Sequence, residues 1–269
     1  MKYLVNYFSK GELALWAGSV AAVLAAFLMF DRSSWITLLA SLIGVTSLIF
    51  AAKGHPAAQA MAIVFALLYG AISWGFAYYG EMITYLGMSM PMAVFSLVSW
   101  LRHPSDKKDE VKVNHLKTPE FVFMAFLTIA VTIAFYFILK YFNTANLIPS
   151  TISVTTSFAA VYFVFRRSQL YAVAYAANDV ILVVLWLMAA ADDIKYISVA
   201  VCFMAFLVND IYGFINWRKM AKAQAERRQV PVEYLCGCIL QPLFIQSRLW
   251  RPVKMDRVRT CRVFGDYKL

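Results

Sequence analysis

The sequence predicts an all-α integral membrane protein, and three observations predict it. Of its 269 residues, 62% are hydrophobic and 15% charged, with a mean hydropathy of +0.65, outside the soluble globular range. Eight stretches reach the length of about 20 apolar residues that crosses a hydrocarbon core of about 30 Å. The cations gather on alternate connections. Lys2, Lys10, Lys53, Arg102, Lys107, Lys108, Lys112, Lys117, Arg166, Arg167, Arg218, Lys219, Lys222, Arg227 and Arg228 fall on one side, fifteen in all, against three, Arg32, Lys140 and Lys195, on the other.

The first stretch, "LALWAGSVAAVLAAFLMF" at 13–30, follows Lys2 and Lys10 as a signal peptide would. Its apolar run is too long and no small-residue cleavage site follows, so it reads as a retained helix. Three more spans follow at 34–52, 57–79 and 82–101. The hydrophilic connection "RHPSDKKDEVKVNHLKTPE" reads as a solvated loop, with Thr118 as cap, Pro119 as first helical residue and Glu120 as the acid matched to the helix dipole of a fifth span at 120–142. The last three spans fall at 147–165, 169–190 and 194–217. Beyond them the tail mixes Pro, Arg and aromatics without a period, and reads as peripheral or poorly ordered.

The cation bias puts both termini in the cytoplasm of a multi-pass plasma (inner) membrane protein. The net charge of +10 then reports topology and contact with anionic lipid headgroups, and calls for no nucleic acid. Cys202, Cys236, Cys238 and Cys261 share no spacing with the spans, and Cys236-x-Cys238 offers too few ligands for zinc. His55, His103 and His115 fall in connections, where solvated histidines are usual. With no metal cluster and no nucleophile beside a base, the chain does not read as an enzyme, and no cofactor is implied.

Sliding the chain by about 117 residues lays "FSLVSWLR" (95–102) on "YGFINWRK" (212–219), bringing Trp100 onto Trp217 at the basic end of a span. "LIGVTSLIFAAKG" (42–54) then lies near "FAAVYFVFRRS" (158–168). Two parallel three-helix bundles joined by one linker helix, 3+1+3, with the N-terminal helix outside the repeat, account for this layout. Parallel repeats of this kind are a transporter architecture with substrate held at the midplane. The resulting units are 1–33 (extra helix), 34–119 (first bundle and loop), 120–146 (linker helix), 147–219 (second bundle) and 220–269 (cytoplasmic tail).

Polar groups at mid-depth cost about 2.5–3.5 kcal/mol when charged, so they usually face a cavity or a partner. Asn178 and Asp179 sit in the middle of the seventh span, and Asn209 and Asp210 within the eighth. At helical spacing Tyr175, Asp179 and Trp186 share one face, and Asn209, Tyr212 and Asn216 another. Rings beside amides and carboxylates suit a flat heterocycle bearing hydroxyls, a vitamin-like nucleoside. The other reading is that these side chains bond across helices as glue. The first half offers Tyr69, Ser73 and Trp74, with Thr46 and Ser47 as modest additions and Glu81 as an interfacial or gate residue. Pro91 marks a helix break or hinge, and Trp100 and Trp217 read as aromatic anchors at the membrane interface.

"YYGEMITYLGMSMPMAVFSLVSW" (78–100) and "FLVNDIYGFINWRK" (206–219) resemble the PnuC vitamin transporters in the Tyr-Gly-Glu turn, the Pro-Met pair, the Trp closing each repeat and Asn-Asp-x-Tyr-Gly-Phe-x-x-Trp. The likeness spans roughly 34–219. It implies a fold like full-length SWEET transporters and uptake of nicotinamide riboside by facilitated diffusion, drawn inward by a cytoplasmic kinase that phosphorylates the vitamin. Thiamine or riboflavin is the alternative cargo, and proton coupling through Asp179 or Asp210 the alternative energetics. Together with the polar residues at mid-depth, it implies a substrate site of Asn178, Asp179, Trp186, Asn209, Asp210, Tyr212, Tyr69 and Trp74. Homo-oligomer formation is left open.

Overall fold

The computed structural model describes residues 7–75, 79–107, 109–144 and 146–228. The tail from 229 onward, with Cys236, Cys238 and Cys261, lies outside the described residues. The chain divides into Met1–Ala225 and Glu226–Leu269, and the helix packing and the cavities belong to the first of these units.

Among the described residues, eight helices are long and apolar enough to cross a membrane. They are α1 (Lys10–Phe30), α2 (Trp35–Ala52), α3 (Ala57–Gly75), α4 (Tyr79–Arg102), α5 (Thr118–Tyr141), α6 (Leu147–Phe165), α7 (Tyr171–Ala189) and α8 (Ile197–Arg228). A 3-10 turn, Ile194–Tyr196, leads into α8.

Local chemistry fixes the ends. Ser9 and Glu12 form a reciprocal capping box on α1: the Glu12 N–H donates to Ser9 Oγ (3.2 Å) and the Ser9 N–H to Glu12 Oε2 (2.6 Å), which satisfies two otherwise orphaned donors. Asp31 Oδ1 accepts from the backbone of Ser33 and Ser34, tightening the α1–α2 turn. Gly54 follows α2 with a φ of +68°, the left-handed position that ends many helices on glycine. The cap of α5 falls on Lys117, not Thr118, and Glu120 pairs with Arg166.

Pro91 does not break its helix. A π-helical turn, Thr84–Ser89, precedes it, and the Met90 N–H bonds back five residues to the Tyr85 carbonyl. The wider turn keeps α4 continuous where a proline ring would otherwise meet the preceding carbonyls.

Helices adjacent in sequence pack together from α1 to α4 and from α5 to α7, and α4 packs on α6. On α5, Val122, Phe126, Ile129, Ile133 and Phe137 are all exposed, the apolar surface of a helix facing lipid.

The connection between α4 and α5 is strapped down. Val111 N–H bonds to the Gly54 carbonyl (3.0 Å) and Asn114 N–H to the Arg167 carbonyl (3.0 Å). Gln224 of α8 accepts from the Val113 N–H and donates to the Val111 carbonyl. Val111 and Val113 are buried, so the segment expected to be a solvated loop closes over the α2–α3 and α6–α7 turns.

Trp100 and Trp217 are buried, at 1% and 0% exposure, and are therefore core residues and not interfacial anchors. His55 is half-buried, its Nδ1 accepting from the Ala57 N–H at the start of α3 (3.0 Å). This replaces the solvated histidine expected there.

Candidate functional site

A cavity of about 140 Å³ lies among α3, α4, α6, α7 and α8. Its walls combine rings (Phe65, Tyr85, Tyr175, Phe203, Phe206) with Glu81, Asn178, Asp179 and the α6 hydroxyls of Ser150, Ser153 and Ser157. Neither Lys, Arg nor His lines it among the described residues.

The hydroxyls belong to the run "PSTISVTTS", residues 149–157. Ser153, Thr156 and Ser157 all donate to Asn178 Oδ1, at 3.1, 2.9 and 3.0 Å. In this arrangement the amide oxygen is turned to α6 and the NH2 group to the cavity. Whatever Asn178 offers a ligand it offers through its NH2 group.

Asp179 is buried at 3% exposure, and its Oδ2 has no partner among the described residues. Asp210 of α8, also 3% exposed, is close enough for the two carboxyl groups to act on each other. Two carboxyl groups in such contact hold a proton between them, or need a cation, because like charges at this range repel.

The other expected residues are not gathered here. Asn209 donates to Ser19 Oγ and to its own helix at Ala205, both at 2.8 Å, and Tyr212 donates to Glu12 Oε1 at 2.8 Å. Both side chains bolt α8 to α1, the glue reading of the sequence. Glu12 is also paired with Lys53 of the α2–α3 turn at 3.0 Å, and Trp16 donates to Thr46 at 3.2 Å. Tyr69 and Trp186 line a second, smaller cavity. Trp74 is exposed, edge-on to Tyr79 at 5.7 Å, and lines neither.

Glu81 lines both cavities, a more interior place than the interface expected of it. Ser153, Ser157 and Tyr85 escaped the sequence reading. The first two carried a legible signal, because Ser150, Ser153 and Ser157 recur at i, i+3 and i+7 along an otherwise apolar helix.

The sequence pattern of the family described as "Nicotinamide mononucleotide transporter" matches residues 34–219, so α1 precedes the matched region. The chain is 23% identical over 215 residues to the nicotinamide riboside transporter PnuC of Neisseria mucosa, covering 78% of this chain and 81% of that protein. It is 22% identical over 191 residues to the protein of the same description from Haemophilus influenzae, covering 70% and 81%. Its fold is similar to that in the crystal structure of the vitamin B3 transporter PnuC, with a TM-score of 0.71 and 20% identity over 81% of this chain and 94% of that one.

Proposed function

The chain belongs to the nicotinamide mononucleotide transporter family, and from that premise we propose that it carries nicotinamide riboside across the membrane. Both curated relatives are described as riboside carriers, while the family is described by the mononucleotide. The cavity chemistry favours the riboside. Glu81 and Asp179 line it and no basic side chain joins them among the described residues. A phosphate would bring negative charge against buried carboxylates, whereas the pyridinium of the riboside is a cation that they and the surrounding rings favour. Asn178 would hold a hydroxyl or carboxamide oxygen through its NH2 group.

Transport on this reading is facilitated diffusion. Two parallel three-helix bundles, residues 34–119 and 147–219, rock about the linker helix 120–146 and expose the cavity to each side in turn. The bonds of Trp100 to the Val164 carbonyl and of Trp217 to the Ala51 carbonyl, exchanged between the halves, support that repeat. Both termini lie in the cytoplasm, on the side carrying the excess of Lys and Arg. Net uptake comes from a cytoplasmic kinase that converts the riboside to a phosphate ester the cavity rejects.

The Asp179–Asp210 contact favours a second reading, proton-coupled transport, in which a proton shared by the pair exchanges with the cationic substrate. Thiamine, also a cation, remains the alternative cargo.

The experiment is uptake of radiolabelled nicotinamide riboside into liposomes holding the purified protein, with and without a trapping kinase and ATP inside. Uptake to equilibrium without kinase, accumulation with it, competition by unlabelled riboside and none by the mononucleotide are expected. Equal competition by the mononucleotide overturns the riboside assignment, and uptake abolished by a protonophore replaces facilitated diffusion with coupling.

A further inference from the structure

The second cavity, about 40 Å³, lies towards the end of the bundle that carries the α1–α2 and α7–α8 turns. Asp31 and Thr37 reach it from the first turn and from α2, Tyr69 from α3, Glu81 from α4, Trp186 from α7 and Lys195 from the last turn.

Tyr69 and Trp186 are 3% and 7% exposed, and neither the Tyr69 hydroxyl nor the Trp186 Nε1–H has a partner among the described residues. An unmade hydrogen bond on a buried polar group costs about 1–3 kcal/mol. Two such groups on the wall of one cavity mark a place built for acceptor oxygens from outside the chain.

The charges in the wall select the rest of the ligand. Lys195 Nζ lies 2.7 Å from Asp193 Oδ2, which offsets its charge, so Asp31 gives the cavity a negative balance, and Glu81 adds a carboxyl group to the wall. The Trp186 ring, packed against Tyr196 at 5.4 Å between centroids, supplies a π-face. Acceptor-seeking donors, carboxylates and an indole together fit an organic cation bearing hydroxyl or carboxamide oxygens.

Side chains connect the wall of this cavity with that of the central one. Glu81 lines both. Tyr69, on the wall of the smaller cavity, packs at 4.9 Å from Phe65 and 5.0 Å from Tyr85, which line the larger. A partition of rings yields to rotamer changes without unwinding a helix, as a backbone wall would not.

We infer that the Asp31–Tyr69–Trp186 cavity is a staging subsite that takes one end of the transported cation before it passes Glu81 into the central cavity. The inference rests on the proposed transport of a cation, with the termini in the cytoplasm making this the outward end.

The test is a thiol-protection measurement on the full chain in detergent. Thr37→Cys is introduced with Cys236, Cys238 and Cys261 changed to Ser and buried Cys202 retained, and Ser73→Cys, in the same cavity, provides an independent position. Labelling by a hydrophilic methanethiosulfonate is timed with and without the solute that the uptake assay shows to be transported. Several-fold slowing is expected. It is expected to persist when Asn178→Ala and Asp179→Asn disable the central cavity, and to weaken when Trp186→Phe and Tyr69→Phe delete the two donors but keep the rings. A thiol that reacts no faster than Cys202, that a transported solute does not shield, or whose shielding vanishes with the central variants overturns the staging site and leaves the carrier reading standing. Failure of every vitamin to be taken up by the unaltered protein overturns both.

Discussion

Trp100 and Trp217 face each other with ring centroids 5.6 Å apart, and each donates its indole N–H into the opposite half of the chain. Trp100 bonds to the Val164 carbonyl at 2.9 Å and Trp217 to the Ala51 carbonyl at 2.8 Å. Val164 and Ala51 are the penultimate residues of α6 and α2. Two bonds of matching geometry, exchanged between equivalent helix ends, are what a parallel repeat would produce. Trp100→Phe and Trp217→Phe should therefore each lower stability by about 0.5–1.5 kcal/mol, because each carbonyl loses one donor and keeps another, the Arg167 N–H on Val164 and the Gly54 N–H on Ala51. The Ala variants should cost about 3–5 kcal/mol through the added cavity. Unfolding midpoints in detergent give the comparison, and a Phe variant as stable as the parent removes the argument.

Asn178 is held by three α6 hydroxyls, so its own truncation and theirs should act differently on transport. Asn178→Ala removes the amide from the cavity and takes the shared acceptor from Ser153 and Ser157, while Thr156 keeps the carbonyls of its own helix. A loss of about tenfold in apparent riboside affinity follows from about 1.4 kcal/mol, within the range of a single hydrogen bond. Ser157→Ala leaves two of the three donors and should change affinity less than twofold. Initial uptake rates against riboside concentration distinguish the two.

Glu12 joins three elements, accepting from Tyr212 of α8 and pairing with Lys53 after α2. The carboxylate is 5% exposed and the Lys53 side chain 17%. Glu12→Ala leaves a largely buried ammonium without its counter-ion, held by the Tyr7 carbonyl and ring, and should cost about 3 kcal/mol or somewhat less, given the partial exposure of Lys53. Tyr212→Phe removes one hydrogen bond to a charged group and should cost about half of that. Thermal unfolding of both variants and of the double variant tests it, and strictly additive losses would mean that the contact carries no coupling.

His55 gives the fold a dependence on mild acid. Burial pushes its imidazole below the usual histidine range, with the Asp109 carboxylate pulling weakly the other way. Its Nδ1 must be unprotonated to accept from the Ala57 N–H. The unfolded chain therefore takes up this proton at higher pH than the folded one, and stability falls as pH drops from about 6.5 towards the lower folded value, below which both states are protonated and the slope vanishes. His55→Asn, an N-capping residue that does not titrate, should flatten that slope. Unfolding midpoints between about pH 7.5 and pH 5.5 show whether it does.

The eight crossings and the family were legible in the sequence. Each crossing is a local property, a run of apolar residues long enough to span hydrocarbon, and the Asn-Asp and Tyr-Gly-Glu motifs are contiguous strings. The special value of positions 178 and 179 was legible for the same reason, since a costly polar group at mid-depth stands out against its own helix. What the sequence could not assign was direction. Asn178 and Asn209 precede the same residue type in similar apolar surroundings, yet one lines a cavity through three α6 hydroxyls and the other bonds to Ser19 of α1. Composition and spacing determined which residues were too polar for lipid. The tertiary structure alone decided what each of them meets, because the rotation of a helix about its axis is set by packing against partners as far as 190 residues away.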